Sequence, residues 1–156
     1  MKLQIPDGRS FSLRVDRYEF PDEELGPTED NPADEFETGR FLIISVHFAN
    51  DAGSWSATGP NLTTTEMEQL ANWFESIPTH NSTDTGIYFI ERDMELTVDT
   101  DATTLSVHLF RDFLPPWARS GETVTIDFPV KQMDLISAAA ALREQLKQFP
   151  GRPPLS

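Results

Sequence analysis

Apolar and polar residues alternate along most of the chain, and twice the spacing lengthens to that of a helix. Phe11, Leu13 and Val15 alternate with Ser12, Arg14 and Asp16, the pattern of a half-buried strand. The Asp7-Gly8 turn predicts that it pairs with residues Lys2–Ile5. Phe41–Phe48 is the most apolar stretch, with Leu42, Ile44, Val46 and Phe48 on one face and Phe41 and Ile43 starting the other. That two-sided pattern predicts a central strand. Asn50–Gly53 is turn chemistry; Ser54–Thr58 returns as a strand, which Gly59-Pro60 is expected to stop. Ile87–Ile90, Glu95–Asp99, Thr103–Phe110 and Glu122–Phe128 also read as strands.

The first helical stretch is Thr63–Ile77. Met67, Leu70, Ala71, Phe74 and Ile77 share a face, and Trp73 falls at its border. Thr63 with Glu66, or Thr65 with Glu68, forms a capping box, and Pro78 is expected to end the helix. The second helix is Asp134–Phe149, with Asp134 as N-cap and a stripe of Leu135, Ala139, Leu142, Leu146 and Phe149. No internal repeat is evident. The sum is an α+β fold: an antiparallel sheet of about seven or eight strands with two helices packed on it. A single domain over 1–150 and a loose tail over 151–156 are expected.

One segment breaks the pattern. Glu19–Glu37 holds nine acidic residues, no basic one and three prolines, so like-charge repulsion and proline oppose regular structure. It reads as a long exposed loop at 19–37. The whole chain of 156 residues is acidic, with net charge −14. That balance argues against a nucleic-acid ligand, which needs a basic face, and against docking on an anionic membrane. No cysteine is present, which removes disulfides, thiolate zinc sites and a cysteine nucleophile. No signal-like apolar stretch or run of about 20 apolar residues occurs, so a cytoplasmic protein is expected.

Candidate chemistry is sparse. His47 and His108 lie mid-strand; adjacent across a sheet, and beside a carboxylate, they could ligate a metal and support a small hydrolase or metal-dependent enzyme. The plainer reading is two strand histidines on half-wet faces. His80 has no partner at a useful spacing. The acidic pairs Asp99/Asp101 and Glu91/Asp93 could do acid–base work only if held in a cleft; in so acidic a chain they read as solvated turns. No HExxH, GxSxG, GxGxxG or phosphate-loop motif occurs. No catalytic residue, metal or cofactor is therefore assigned. Trp55 reads as core and Trp73 as a structural residue at the border of the helix stripe. Trp117, behind the rigid Leu114-Pro115-Pro116, reads as a possible partner contact.

Several stretches, in order, carry a family resemblance. They are Met1-Lys2-Leu3 with Asp7-Gly8, the apolar strand 41–48, Ser54-Trp55-Ser56-Ala57-Thr58-Gly59-Pro60, and Leu70-Ala71-Asn72-Trp73-Phe74. Glu91 before the Glu95–Asp99 strand and Pro115-Pro116-Trp117 follow. The closing run is the most specific: Asp127-Phe128-Pro129, Met133-Asp134-Leu135, the alanines, Leu142-Arg143 and Gln148-Phe149-Pro150. Taken together, the chain resembles the WapI family of bacterial immunity proteins. It departs at Gly39-Arg40-Phe41, where a tryptophan would be expected, and in the length of the acidic insertion. The resemblance implies a non-enzymatic antidote that binds a toxin domain, often a nuclease. Asp22, Glu23, Glu24, Asp34, Glu35, Glu37 and Trp117 are then the candidate partner-binding residues. A generic acidic interaction module is the remaining alternative.

Overall fold

The computed structural model describes residues 1–20, 41–81 and 84–152. Among them are eight strands and two α-helices: β1 (Lys2–Gln4), β2 (Ser10–Tyr18), β3 (Phe41–Asn50), β4 (Gly53–Thr63), α1 (Thr64–Thr79), β5 (Gly86–Tyr88), β6 (Met94–Val98), β7 (Thr104–Leu109), β8 (Val124–Pro129) and α2 (Leu135–Gln148). All strand pairs are antiparallel. The architecture is α+β as expected, but the strands form two four-stranded sheets, β1-β2-β3-β4 and β5-β6-β7-β8, where one larger sheet was expected.

The split has a geometric reason. Eight strands side by side would span roughly 34 Å at ~4.8 Å per spacing, while two helices cover about 20 Å. An undivided sheet would leave apolar surface wet. Instead α1 takes the chain away after β4, and β5 starts a second meander. Phe11, Leu13, Val15, Leu42, Ile44, Val46 and Phe48 of the first sheet join Met94, Leu96, Leu105, Val107, Leu109, Ile126 and Phe128 of the second in one buried cluster. The buried faces of both helices belong to it too.

The order of elements therefore repeats, four strands and then a helix, which the sequence did not disclose. Each third strand carries the same short string, Ser45-Val46-His47 in β3 and Ser106-Val107-His108 in β7. The middle valine is buried and the two flanking polar residues turn to the opposite face, as strand alternation requires.

The local expectations mostly hold. Leu3 pairs with Phe11 across the first turn, where Gly8 takes φ +98°. Thr63, not Thr65, caps α1. Its hydroxyl accepts from the Glu66 N–H at 3.1 Å and the Glu66 carboxylate accepts from the Thr63 N–H at 2.8 Å. Asp134 caps α2 by accepting from the Ser137 N–H.

Two stop signals do not act where expected. β4 runs through Gly59-Pro60 to Thr63, because it is an edge strand and an edge tolerates the missing N–H of proline. Helix α1 runs through Pro78 to Thr79 and closes on His80, which takes the left-handed conformation at φ 53° and donates its N–H to the Ile77 carbonyl. Proline in the last turn ends few bonds that the cap does not replace. Trp73, placed at the helix border by its spacing, is buried and donates its indole N–H to the Asp84 carbonyl at 3.1 Å.

Two bulges place polar side chains. Register shifts leave Asp16 extra between Val15 and Arg17, and Asn61 extra between Pro60 and Leu62. Beside the first bulge, Gln145 of α2 completes the backbone of β2. Its Oε1 accepts from the Val15 N–H at 2.7 Å and its Nε2 donates to the Leu13 carbonyl at 3.2 Å. Replacing Gln145 with Ala leaves a partly buried N–H unmet. It is expected to cost about 1–3 kcal/mol and to lower the melting temperature by several degrees. Glu144→Ala, on the exposed side of the same turn, should stay within about 0.5 kcal/mol. Thermal melts of the two variants check this.

Candidate interaction surface

The residues that could have formed a catalytic site are dispersed. His47 lies on β3 in the first sheet, its Nδ1 2.8 Å from the Ser56 hydroxyl. His108 lies on β7 in the second, between the Thr97 and Thr125 hydroxyls, each 2.9 Å from a ring nitrogen. His80 closes α1. Among the described residues no group of three or more His, Asp or Glu side chains is placed to hold a metal ion.

The two acidic pairs are occupied by structure. Asp99 holds the β6–β7 turn. Hydrogen bonds from the Thr103 hydroxyl and from the Thr104 and Thr103 N–H groups keep its carboxyl below the usual carboxylate range. Glu91 and Asp93 share Arg111, whose Nε lies 3.0 Å from Asp93 and whose terminal nitrogen lies 3.9 Å from Glu91. Asp93 is buried and also accepts from the Asn61 amide at 2.9 Å.

Of the sequence-derived partner residues, Asp22, Glu23, Glu24, Asp34, Glu35 and Glu37 lie outside the described residues. Trp117 is 49% exposed. Its ring stands edge-on to buried Trp55, centroids 5.4 Å apart at 79°. It also lies over Gly53, whose φ is +149° and where an added Cβ would approach the indole to 3.1 Å. Trp55 in turn donates to the Phe113 carbonyl at 3.0 Å. Half of Trp117 therefore faces solvent and half is spent on packing.

The structure adds a surface the sequence did not reveal. Between β5 and β6 the chain alternates: Phe89 and Asp93 are buried, while Tyr88 is 66% and Ile90 57% exposed and Arg92 projects outward. This connection is held from beneath. The Ile90 N–H donates to buried Glu66 at 2.6 Å, and the Phe110 N–H donates to the Asp93 carbonyl at 2.9 Å. Beside it opens a groove of about 1090 Å³, lined among others by Phe110, Met94, Leu114, Pro115 and Pro116. Its charged rim is Arg92, Glu95, Arg111, Asp112 and Glu122. Among the described residues only Arg111 of these is in an ion pair. Exposed Tyr and Ile in a strand-like run give no sequence signal that separates them from buried ones.

A smaller cleft of about 350 Å³ adjoins it, sharing Asp112 and lined also by Glu19, Phe20, Phe41, Glu91 and Asp93. Phe20 and Phe41 flank the acidic stretch, so that stretch leaves and rejoins the described chain at this cleft. Burial, and then the negative charge of Glu91, push the Glu19 carboxyl above its ordinary value against a lesser opposing pull from Arg17.

The family model of immunity protein WapI-like proteins matches residues 2–150, from β1 to just past α2. The chain belongs to the immunity protein WapI-like family. No curated protein sequence matches it. In this WapI-like protein both four-strand-and-helix halves fall inside the matched span, and so do the groove and Trp117.

The Glu19 environment yields a pH prediction. A carboxyl whose folded-state value is raised contributes stability below its unfolded value that is lost as pH rises through the folded one. Glu19→Gln should therefore be more stable than the parent at pH 7, with the difference shrinking as pH falls below the ordinary glutamate range. Urea unfolding midpoints at pH 7 and near pH 4 read this directly; equal differences at both would contradict it.

Proposed function

We propose that this WapI-like protein is a cytoplasmic, non-enzymatic antidote. It binds a cognate toxin domain one to one and occludes its active site, and that toxin is a basic nuclease. The observation that carries the reading is the charge of −14 on a chain of an immunity family. A nuclease site binds phosphate and is basic, so an acidic protein is attracted to it and competes with nucleic acid for it. Neither cofactor nor metal enters such a mechanism, because occlusion needs only complementary surfaces. The test is titration of the domain encoded by the reading frame adjacent to this gene: a nuclease activity there should fall linearly to zero at equimolar antidote. Full protection at far below one equivalent would mean turnover and overturn the stoichiometric reading.

Two consequences follow for residues. Asp22, Glu23, Glu24, Asp34, Glu35 and Glu37 act on encounter, since charges outside the interface centre change association more than dissociation. Changing the six to their amides should slow association about tenfold at low salt and leave the melt unchanged or raised. The loss should fade at physiological ionic strength, where the Debye length is about 8 Å. Trp117 acts as an anchor, as aromatic residues do in interface hot spots. Trp117→Ala should mainly raise the dissociation rate. Stopped-flow association and dissociation at several salt concentrations separate the two effects.

A further inference from the structure

We infer that the groove beside the β5–β6 connection is the docking site for the toxin, and that its occupant is a basic segment flanked by apolar side chains. This rests on the antidote reading and adds the place and the chemistry of contact. A lysine or arginine of the toxin enters at Glu95, Asp112 and Glu122, and its neighbours pack on Tyr88 and Leu114–Pro116 in the groove and on exposed Ile90 just outside it.

Three observations carry it. The first is exposed apolar surface held at fixed positions. Tyr88 and Ile90 are 66% and 57% exposed, yet Tyr88 is paired with Glu95 in the β5–β6 ladder and the Ile90 N–H is held by the buried Glu66 carboxylate. A surface ordered before contact loses little conformational entropy on binding, and Tyr and Arg are the residues that dominate interface energies.

The second is charge. Glu95, Asp112 and Glu122 line the groove without an ion pair among the described residues. A cation there meets three carboxylates against the two arginines of the same lining, Arg92 and Arg111, while its methylenes and positive head can lie on the Tyr88 and Phe110 rings. Arg92, also unpaired, stands at the same rim to take a carbonyl or carboxylate of the same segment.

The third is position and size. The acidic stretch is tethered at Phe20 and Phe41, in the cleft that shares Asp112 with the groove. At about 1090 Å³ the groove exceeds the usual small-molecule range of roughly 300–1,000 Å³ and suits several side chains of a protein segment.

The experiment compares two triple variants that remove the same charge. One is Glu95→Gln, Asp112→Asn, Glu122→Gln in the groove; the other is Asp51→Asn, Glu68→Gln, Asp101→Asn at exposed sites elsewhere. Dissociation of the adjacent-gene toxin domain is measured at about 0.15 M salt, where distant charges are screened. The groove triple is expected to dissociate at least tenfold faster than the parent and the distal triple less than twofold. Ile90→Ser should weaken binding in the same direction. Hydrogen exchange on the parent complex should show protection at residues 88–95 and 110–122, a readout that needs no variant to fold. Equal behaviour of the two triples, or protection elsewhere, with the parent still neutralising toxin, would overturn the groove and leave the antidote reading intact. A parent that neither binds nor neutralises the toxin domain would overturn both.

Discussion

The apolar residues of β2, β3, β6, β7 and β8 fall at alternate positions, so each four-stranded sheet can be covered from one side only. Everything else in the architecture answers to that one-sidedness. The two sheets turn their apolar faces into one buried cluster, which α1 and α2 complete. Outer faces are then free to be polar, and they carry the hydroxyl–histidine contacts of His47 and His108. Helix α2 also lends a side chain to the first sheet, where Gln145 supplies both a donor and an acceptor to β2. Arg143 joins α2 to Glu75 and Asn72 of α1.

Two carboxylates, Glu66 and Asp93, are buried at the margin of this cluster. A buried carboxylate without partners costs several kcal/mol, so each is surrounded by donors. Glu66 takes the Thr63 N–H and hydroxyl and the Ile90 N–H. Asp93 takes the Asn61 amide and the Arg111 guanidinium. These bonds do more than satisfy charge. They fasten the β5–β6 connection to the end of β4 and the start of α1, elements that belong to the other half of the chain. The bulge at Asn61 makes this possible by turning its amide inward, and it leaves the Asn61 carbonyl oxygen as the one buried side-chain polar atom without a partner among the described residues. An unmet buried acceptor costs about 1–3 kcal/mol, which sets the scale of what the Asp93 bond must offset.

Much of the fold was legible in the residues. Alternation marked every strand, helical spacing marked both helices, and Thr63, Glu66 and Asp134 marked their starts. These signals are local, and local chemistry decides them. Pairing between distant strands is not local. The period-two pattern of β4 and β5 is the same whether they share a sheet or not, so the division into two sheets could not be read. Pro60 and Pro78 misled for a related reason: their effect depends on whether the missing N–H faces a partner, and edge position and a left-handed His80 removed the need for one. The repeat escaped because only Ser-Val-His survives in common. The half-exposure of Trp117 agrees with its place behind two prolines. The groove was not legible, since Tyr88 and Ile90 carry the same apolar label outside as inside.

The connections differ between the two halves while the strands and helices repeat, and that difference is where recognition can be placed. In the first half β1 and β2 meet across a tight Asp7-Gly8 turn, and the long connection lies between β2 and β3. In the second half the β5–β6 and β7–β8 connections both line the groove. The small cleft is lined by Phe20, just after β2, and Phe41, the first residue of β3, together with Asp93 from the β5–β6 connection and Asp112 and Phe113 from the β7–β8 connection. Charge and shape are thereby brought to one region but act over different distances. On the proposed reading, unpaired carboxylates would attract a basic partner from about a Debye length away, roughly 8 Å at physiological salt. Tyr88, Ile90 and the two prolines act only on contact, where water must leave. A surface that combines the two can be fast to meet its partner through charge and slow to release it through packing, and these two properties can vary independently because different residues supply them.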